Sequence, residues 1–138
     1  MHGLAQTLFA SHYEEVAARR QNTPLSPDWL RYQALEQNGS LIILAAWEGD
    51  RIVGYSVSIV TTALHYSTTI FCQNDVLFVD EAHRRGRLGV RLIRETERIA
   101  VAEGTKRVFW HAQEGTALAA ILPKLGYGVH EVVYSRDF

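Results

Sequence analysis

Apolar positions along the chain switch between two periods, and each switch marks an element. Over residues 4–20, Leu4, Leu8, Phe9, Val16 and Ala17 recur at helical intervals, which predicts an amphipathic helix ending near Gln21-Asn22. Ser26-Pro27-Asp28 then opens a second helix, with Ser26 as N-cap and Pro27 in the first helical position, running through Trp29, Tyr32 and Leu35 to Asn38-Gly39. After Gly39 the pattern becomes extended. Residues 41–47 and 52–62, rich in Ile, Val and Thr, flank Glu48-Gly49-Asp50-Arg51 and predict two antiparallel strands joined by a hairpin turn. Residues 63–68, with Leu64-His65-Tyr66, read as a loop, and 69–79 as a third strand. Helical spacing returns over 88–103, where Leu92, Ile93, Thr96, Ile99 and Ala100 share a face and Arg91, Arg94, Glu95, Glu97 and Arg98 face water. Gly104 ends that helix. A strand over 107–112, a short helix over 116–125 closed by Gly126 and a final strand over 129–135 complete the chain.

Antiparallel strands come first and crossover helices later, so the order predicts an α+β fold with a mixed, mostly antiparallel sheet flanked by helices on both faces. At 138 residues, with no linker or internal repeat, one domain spanning 1–138 is expected. Composition narrows the function classes. Lysine and arginine number 14 against 15 aspartate and glutamate, a net charge of −1 that counts against bulk positive charge as a grip on nucleic acid. Cys72 is the single cysteine, so no intrachain disulfide or cysteine metal cluster can form, and a cytoplasmic protein is expected. No apolar run is long enough to span a membrane. His2, His83 and His130 lack metal-ligand spacing, and no metal is expected. Trp29, Trp47 and Trp110 read as core aromatics, and Cys72 as a small buried residue.

The candidate chemistry lies where the third strand runs into a basic turn and a helix: Leu77-Phe78-Val79-Asp80-Glu81-Ala82-His83-Arg84-Arg85-Gly86-Arg87-Leu88-Gly89-Val90. Free backbone N–H groups and the positive end of a helix dipole converge there, a setting for an anion such as phosphate. On spacing alone, an ordinary strand-to-helix loop with solvated arginines fits equally well. Asp75 is a candidate base, since strict alternation puts it on one face with Gln73 and Leu77; a solvent-exposed strand aspartate is the other reading. His12 and Glu15 lie on or beside the apolar stripe of the first helix, as an acceptor-binding wall or as a structural pair. His65 and Tyr66 could line the same pocket or simply pack the loop, and His111 reads more readily as a hydrogen-bonded core histidine than as a catalyst.

These residues resemble the GNAT superfamily of acyl-CoA-dependent N-acyltransferases. Leu77-x-Val79 followed by Arg84-Arg85-Gly86-Arg87-Leu88-Gly89 is similar to its strand ending and Arg/Gln-x-x-Gly-x-Gly/Ala turn, with Arg87 where the family has glycine and Gly86 one residue earlier. Lys124-Leu125-Gly126-Tyr127 resembles its Lys-Leu-Gly-Phe ending, so the likeness covers roughly residues 41–135. Leu122 stands where the family carries its general-acid tyrosine, and the chain opens on a helix, without the first strand of the fold. With Leu64-His65-Tyr66 and His12-Tyr13-x-Glu15, the Arg87 variant is similar to a small subset often encoded by phages.

The resemblance implies acetyl-CoA as cosubstrate, held by Leu77, Phe78, Val79, Arg84, Arg85, Gly86, Arg87, Leu88, Gly89 and Val90. The third strand would splay from the strand over 107–112, its free backbone holding the pantetheine arm and the N–H near Leu77 polarising the thioester carbonyl. An amine acceptor, a cationic small molecule or a peptide or protein amine, would attack directly with a general base among Asp75, Glu15 and His65. Gln73 occupies the position of a catalytic glutamate in some members. A non-catalytic CoA-binding or interaction module is the alternative, favoured by Leu122. A nucleic-acid factor using Arg84, Arg85, Arg87, Arg91 and Arg94 is a third reading, opposed by the net charge and the lack of interleaved aromatics. A homodimer is compatible with all three.

Overall fold

The structure, a computed structural model, describes residues 28–138. The helix expected over 4–20, the question of a first strand, and Glu15 and His12 lie outside the described residues. In chain order the elements are α1 (Trp29–Gln37), β1 (Leu41–Glu48), β2 (Arg51–Ala63), β3 (Tyr66–Val79), a 3-10 turn (Glu81–His83), α2 (Leu88–Ala102), β4 (Arg107–Phe109), α3 (Ala117–Ile121) and a second 3-10 turn (Pro123–Leu125). The sheet order is β1-β2-β3-β4, antiparallel except for the parallel β3–β4 pair, which makes it a mixed α+β fold.

Alternation along β1 sorts the core into two layers. Tyr55, Val57 and Phe78, with Leu41 and Ile43, pack beneath Trp29 and Tyr32 of α1. Ile42 and Cys72, with Leu44 and Val60, pack against Ala100 and Ile99 of α2 on the other face. Helix α2 turns Leu92, Ile93, Thr96 and Ala100 inward as its sequence period requires.

Several boundaries differ from the sequence reading. The N-cap of α1 is Asp28, whose side chain accepts the Arg31 N–H at 3.0 Å, in place of the expected Ser26. The stretch expected as a loop is a tight hairpin: Ala63 pairs with Tyr66 across Leu64-His65, so β3 begins three residues early. Pro123, which lacks an N–H, breaks the expected helix over 116–125 into α3 and a 3-10 turn, and Gly126 at φ +94° closes it. Trp47 is 50% exposed opposite a β-bulge whose extra residue is Val53 of β2, so it is not a core aromatic. The expected final strand is absent among the described residues: Val129, Val132, Val133 and Tyr134 are exposed, and β4 pairs with β3 alone. Strand propensity needs a ladder to act on, and three residues of β4 give that segment little edge to join.

Candidate functional site

Parallel pairing between β3 and β4 runs Phe71–Arg107, Cys72–Val108 and Gln73–Phe109, and stops there. The remaining six residues of β3, from Asn74 to Val79, have no β4 partner. The Asp80 N–H donates to Val53 O of β2, so alternation turns the backbone groups of Val79 and Leu77 toward the opened side. Here is the splay expected from the sequence, with its vertex at Gln73.

A β-bulge sits at that vertex. In β2, Val57 pairs with Val76 and Ser58 with Asn74, leaving Asp75 as the extra residue. The bulge resets alternation. Gln73 and Asp75 lie on the α1 face, but Leu77, paired with Ser56, lies on the α2 face, so the expected sharing of a face by Asp75 and Leu77 is corrected. Buried Asn74 fixes the irregularity, its amide nitrogen lying 3.2 Å from Ser56 Oγ, Val57 O and Ser58 Oγ and 3.1 Å from Val76 O. Ser56 Oγ in turn lies 3.3 Å from Thr96 Oγ1 of α2, so the helix, two strands and the bulge share one buried polar network.

Asp75 is exposed and accepts a hydrogen bond from the Tyr32 hydroxyl of α1. Burial, that bond and the carboxylate charge push the Tyr32 hydroxyl well above its ordinary pKa; burial, then Tyr32 and Asp75, do the same to Tyr55. Ile59, Gln73, Asn74, Asp75 and His111 line an open pocket of about 270 Å³ at the vertex. His111, read as a core histidine, is thus exposed and shares a pocket with Asp75. The strand expected over 107–112 ends at Phe109, which leaves His111 outside the sheet. His65, by contrast, occupies the tip of the β2–β3 hairpin, nine strand residues or about 30 Å along β3 from Asp75.

The basic turn is anchored on two sides. Arg84 Nε donates to Val79 O at 2.8 Å and its guanidinium lies over the Phe78 ring, holding the strand end. Arg51 pairs with Asp80, and His83 Nε2 lies 2.5 Å from Glu48 Oε2, tying the turn to the β1–β2 hairpin. Arg85, Gly86 and Arg87 are exposed, and Arg87 caps α2 without a side-chain hydrogen bond. No acidic residue occupies the first turn of α2, whose N–H groups at Leu88, Gly89 and Val90 have no helical acceptor. Gly54, which sequence reasoning passed over, lets this helix come close: a Cβ there would lie 3.1 Å from Phe78 O, 3.2 Å from Leu88 Cδ2 and 3.3 Å from Leu92 Cδ1. At Gly89 a Cβ would meet nothing nearer than Val79 Cγ2 at 3.8 Å, so that glycine leaves open space on the outer side.

Residues 5–127 match the acetyltransferase (GNAT) family. The chain belongs to the GNAT acetyltransferases. Among solved structures it is similar to an aminoglycoside acetyltransferase from an uncultured soil metagenomic sample, at 26% identity and a TM-score of 0.75, over 99% of this chain and 90% of that one. A transcriptional regulator from Bacillus halodurans shares the fold at 18% identity and TM-score 0.76, over 100% and 95% of the two chains. An acetyltransferase from Trypanosoma brucei does so at 21% and 0.67, over 94% and 92%. No curated protein matches. Leu122 is 7% exposed and has no polar atom in its side chain. Tyr127, five residues on, donates to Glu97 Oε2 at 2.6 Å, and burial and this bond push its pKa up to about 12. No helix among the described residues is long and apolar enough to cross a membrane, and no group of three or more histidine, cysteine or acidic side chains there could hold a metal.

Proposed function

We propose that the chain transfers an acetyl group from acetyl-CoA to the amine of a cationic acceptor, with Asp75 as general base. The observation that carries this reading is the freed edge of β3, with the N-terminus of α2 at one end and the Asp75 pocket at the other. The donor set at the turn fits a diphosphate: N–H groups of Leu88, Gly89 and Val90, the exposed Arg85 and Arg87 side chains, and no competing carboxylate in the first turn. Leu77, Phe78 and Val79 form the edge that would receive an extended arm, and Arg84 keeps that edge in place. Gly86 and Gly89 leave the backbone open to approach. Bound acetyl-CoA supplies the activated acyl thioester.

For the amine to attack, its ammonium form must lose a proton, and the exposed Asp75 carboxylate is positioned at the vertex to take it. The same negative charge attracts a cationic substrate. An aminoglycoside acceptor, named for the 26% identical neighbour, is a multiply charged amine of this kind. We assign the activity to a single cytoplasmic domain; Glu15 stays a candidate second contact for the ammonium.

Release of free thiol from acetyl-CoA should be measured against aminoglycosides, polyamines, small primary amines and lysine peptides, with calorimetry of CoA binding alongside. Turnover with a cationic amine is expected. CoA binding without turnover on any amine would favour the non-catalytic module, the reading that buried Leu122 supports. Absence of CoA binding would remove both.

A further inference from the structure

Resting on the acyl-transfer reading, we infer that His111 donates a proton to the leaving thiolate across the splay from Asp75. The residue that carries a hydroxyl at this step elsewhere in the family is Leu122 here, a buried hydrocarbon. The Tyr127 hydroxyl is committed to Glu97, and the Tyr32 hydroxyl to Asp75. His111 belongs to the other bank. It lies two residues past Phe109, the last β4 residue paired with β3, and lines one pocket with Gln73 and Asp75. It faces Asp75, Gln73 and Asn74 from β3 and Ile59 from β2, and among the residues lining that pocket Asp75 and His111 are the titratable ones. A thioester arm laid along the free edge of β3 would bring its reactive end toward the vertex where Asp75 and His111 line the pocket.

The division of labour balances. The amine nitrogen lone pair forms the C–N bond, the C–S bond breaks and its electron pair stays on sulfur. The Asp75 carboxylate takes the first proton of the ammonium before attack and passes it to water through the open pocket; as the C–N bond forms it takes the second proton from nitrogen, while the protonated ring of His111 gives one N–H proton to the thiolate, and both side chains re-equilibrate with water. Products are the amide and free thiol. A base and an acid on opposite strands let one proton leave and another arrive without either group crossing the cleft.

The test compares wild type with His111→Gln and His111→Ala, using acetyl-CoA and the best amine from the thiol-release screen. His111 is exposed, so both variants should fold, as circular dichroism and CoA calorimetry will show. The expected result is a fall in kcat of about 100-fold, the lower range for general acid catalysis, with acceptor KM and CoA affinity within about threefold. Added imidazole should restore part of the His111→Ala turnover, in proportion to its protonated fraction. Three outcomes overturn the proposal: kcat in His111→Gln at half of wild type or more, a loss confined to acceptor KM, or no restoration by imidazolium. If wild type binds CoA yet acetylates no amine, the acyl-transfer reading itself fails, a result separable from any of these.

Discussion

The two faces of the sheet solve different problems. On the α2 face, Ser56, Ser58, Asn74 and Thr96 are buried and mutually hydrogen-bonded, and Gly54 draws the helix into close contact. That face is buried and closely packed. On the α1 face, Asp75 is exposed, held by one hydroxyl from α1, and opens into a pocket with His111. That face is open to solvent. Asn74 and Asp75 are sequence neighbours serving opposite faces, so the bulge both separates the two tasks and joins them.

The sharpest way to break this comparison is to remove charge from one face alone. Asp75→Asn keeps the shape and the Tyr32 contact but removes the base, so kcat should fall by about 100-fold or more while CoA affinity stays as in wild type. Full kcat would make Asp75 structural. Asn74→Leu acts from the other side. It removes the two amide N–H donors that Ser56, Ser58 and two carbonyls share in a buried setting, which should cost about 3 kcal/mol in urea unfolding. If the bulge depends on Asn74, kcat falls too; a destabilised variant with wild-type kcat at low temperature would show that the bulge holds by itself.

Much of this was open to a reading of the chain. Helix α2, the β1–β2 hairpin and the basic turn follow from local periodicity and turn residues, whose causes lie within a few positions of one another. The bulge did not show. Gln73-Asn74-Asp75-Val76-Leu77 reads as an ordinary strand, because an inserted residue is defined by the partner strand's register, and that is a property of two segments. The face that Leu77 takes depends on it and was hidden as well. The strand expected over 129–135 failed for a related reason, since its valines carry the propensity but find no ladder among the described residues.

A pair of alanine substitutions sharpens the contrast within the α2 face. Gly54→Ala forces a methyl to within 3.1 Å of a backbone oxygen and should destabilise by about 1–3 kcal/mol, the range for an overpacked core. Gly89→Ala meets no such neighbour and replaces a flexible residue in the first turn of α2, so melting should rise, by up to about 1 kcal/mol of stability. Its harm should appear in donor KM instead. Equal stability changes in the two variants would mean that the close approach at Gly54 does not govern how α2 seats.

The smallest effect expected is a pH dependence that dissects the faces. Tyr32 and Tyr55 on the α1 face and Tyr127 on the α2 side all have hydroxyls raised above the ordinary tyrosine value of 10.0, Tyr127 to about 12. A folded-state value above the unfolded one means that the fold disfavours the ionised form. The resulting stabilisation is complete below pH 10 and declines as pH rises, for Tyr127 through about 12. Chemical denaturation should therefore show stability falling above pH 10 in wild type, and falling less steeply in Tyr127→Phe, which has no proton to lose. Tyr32→Phe should show the same relief for its own share and, by removing a hydrogen-bond partner of Asp75, also lower kcat, which Tyr127→Phe should leave alone. Equal kcat for the two variants would mean that the Tyr32 hydroxyl only packs α1 against the sheet.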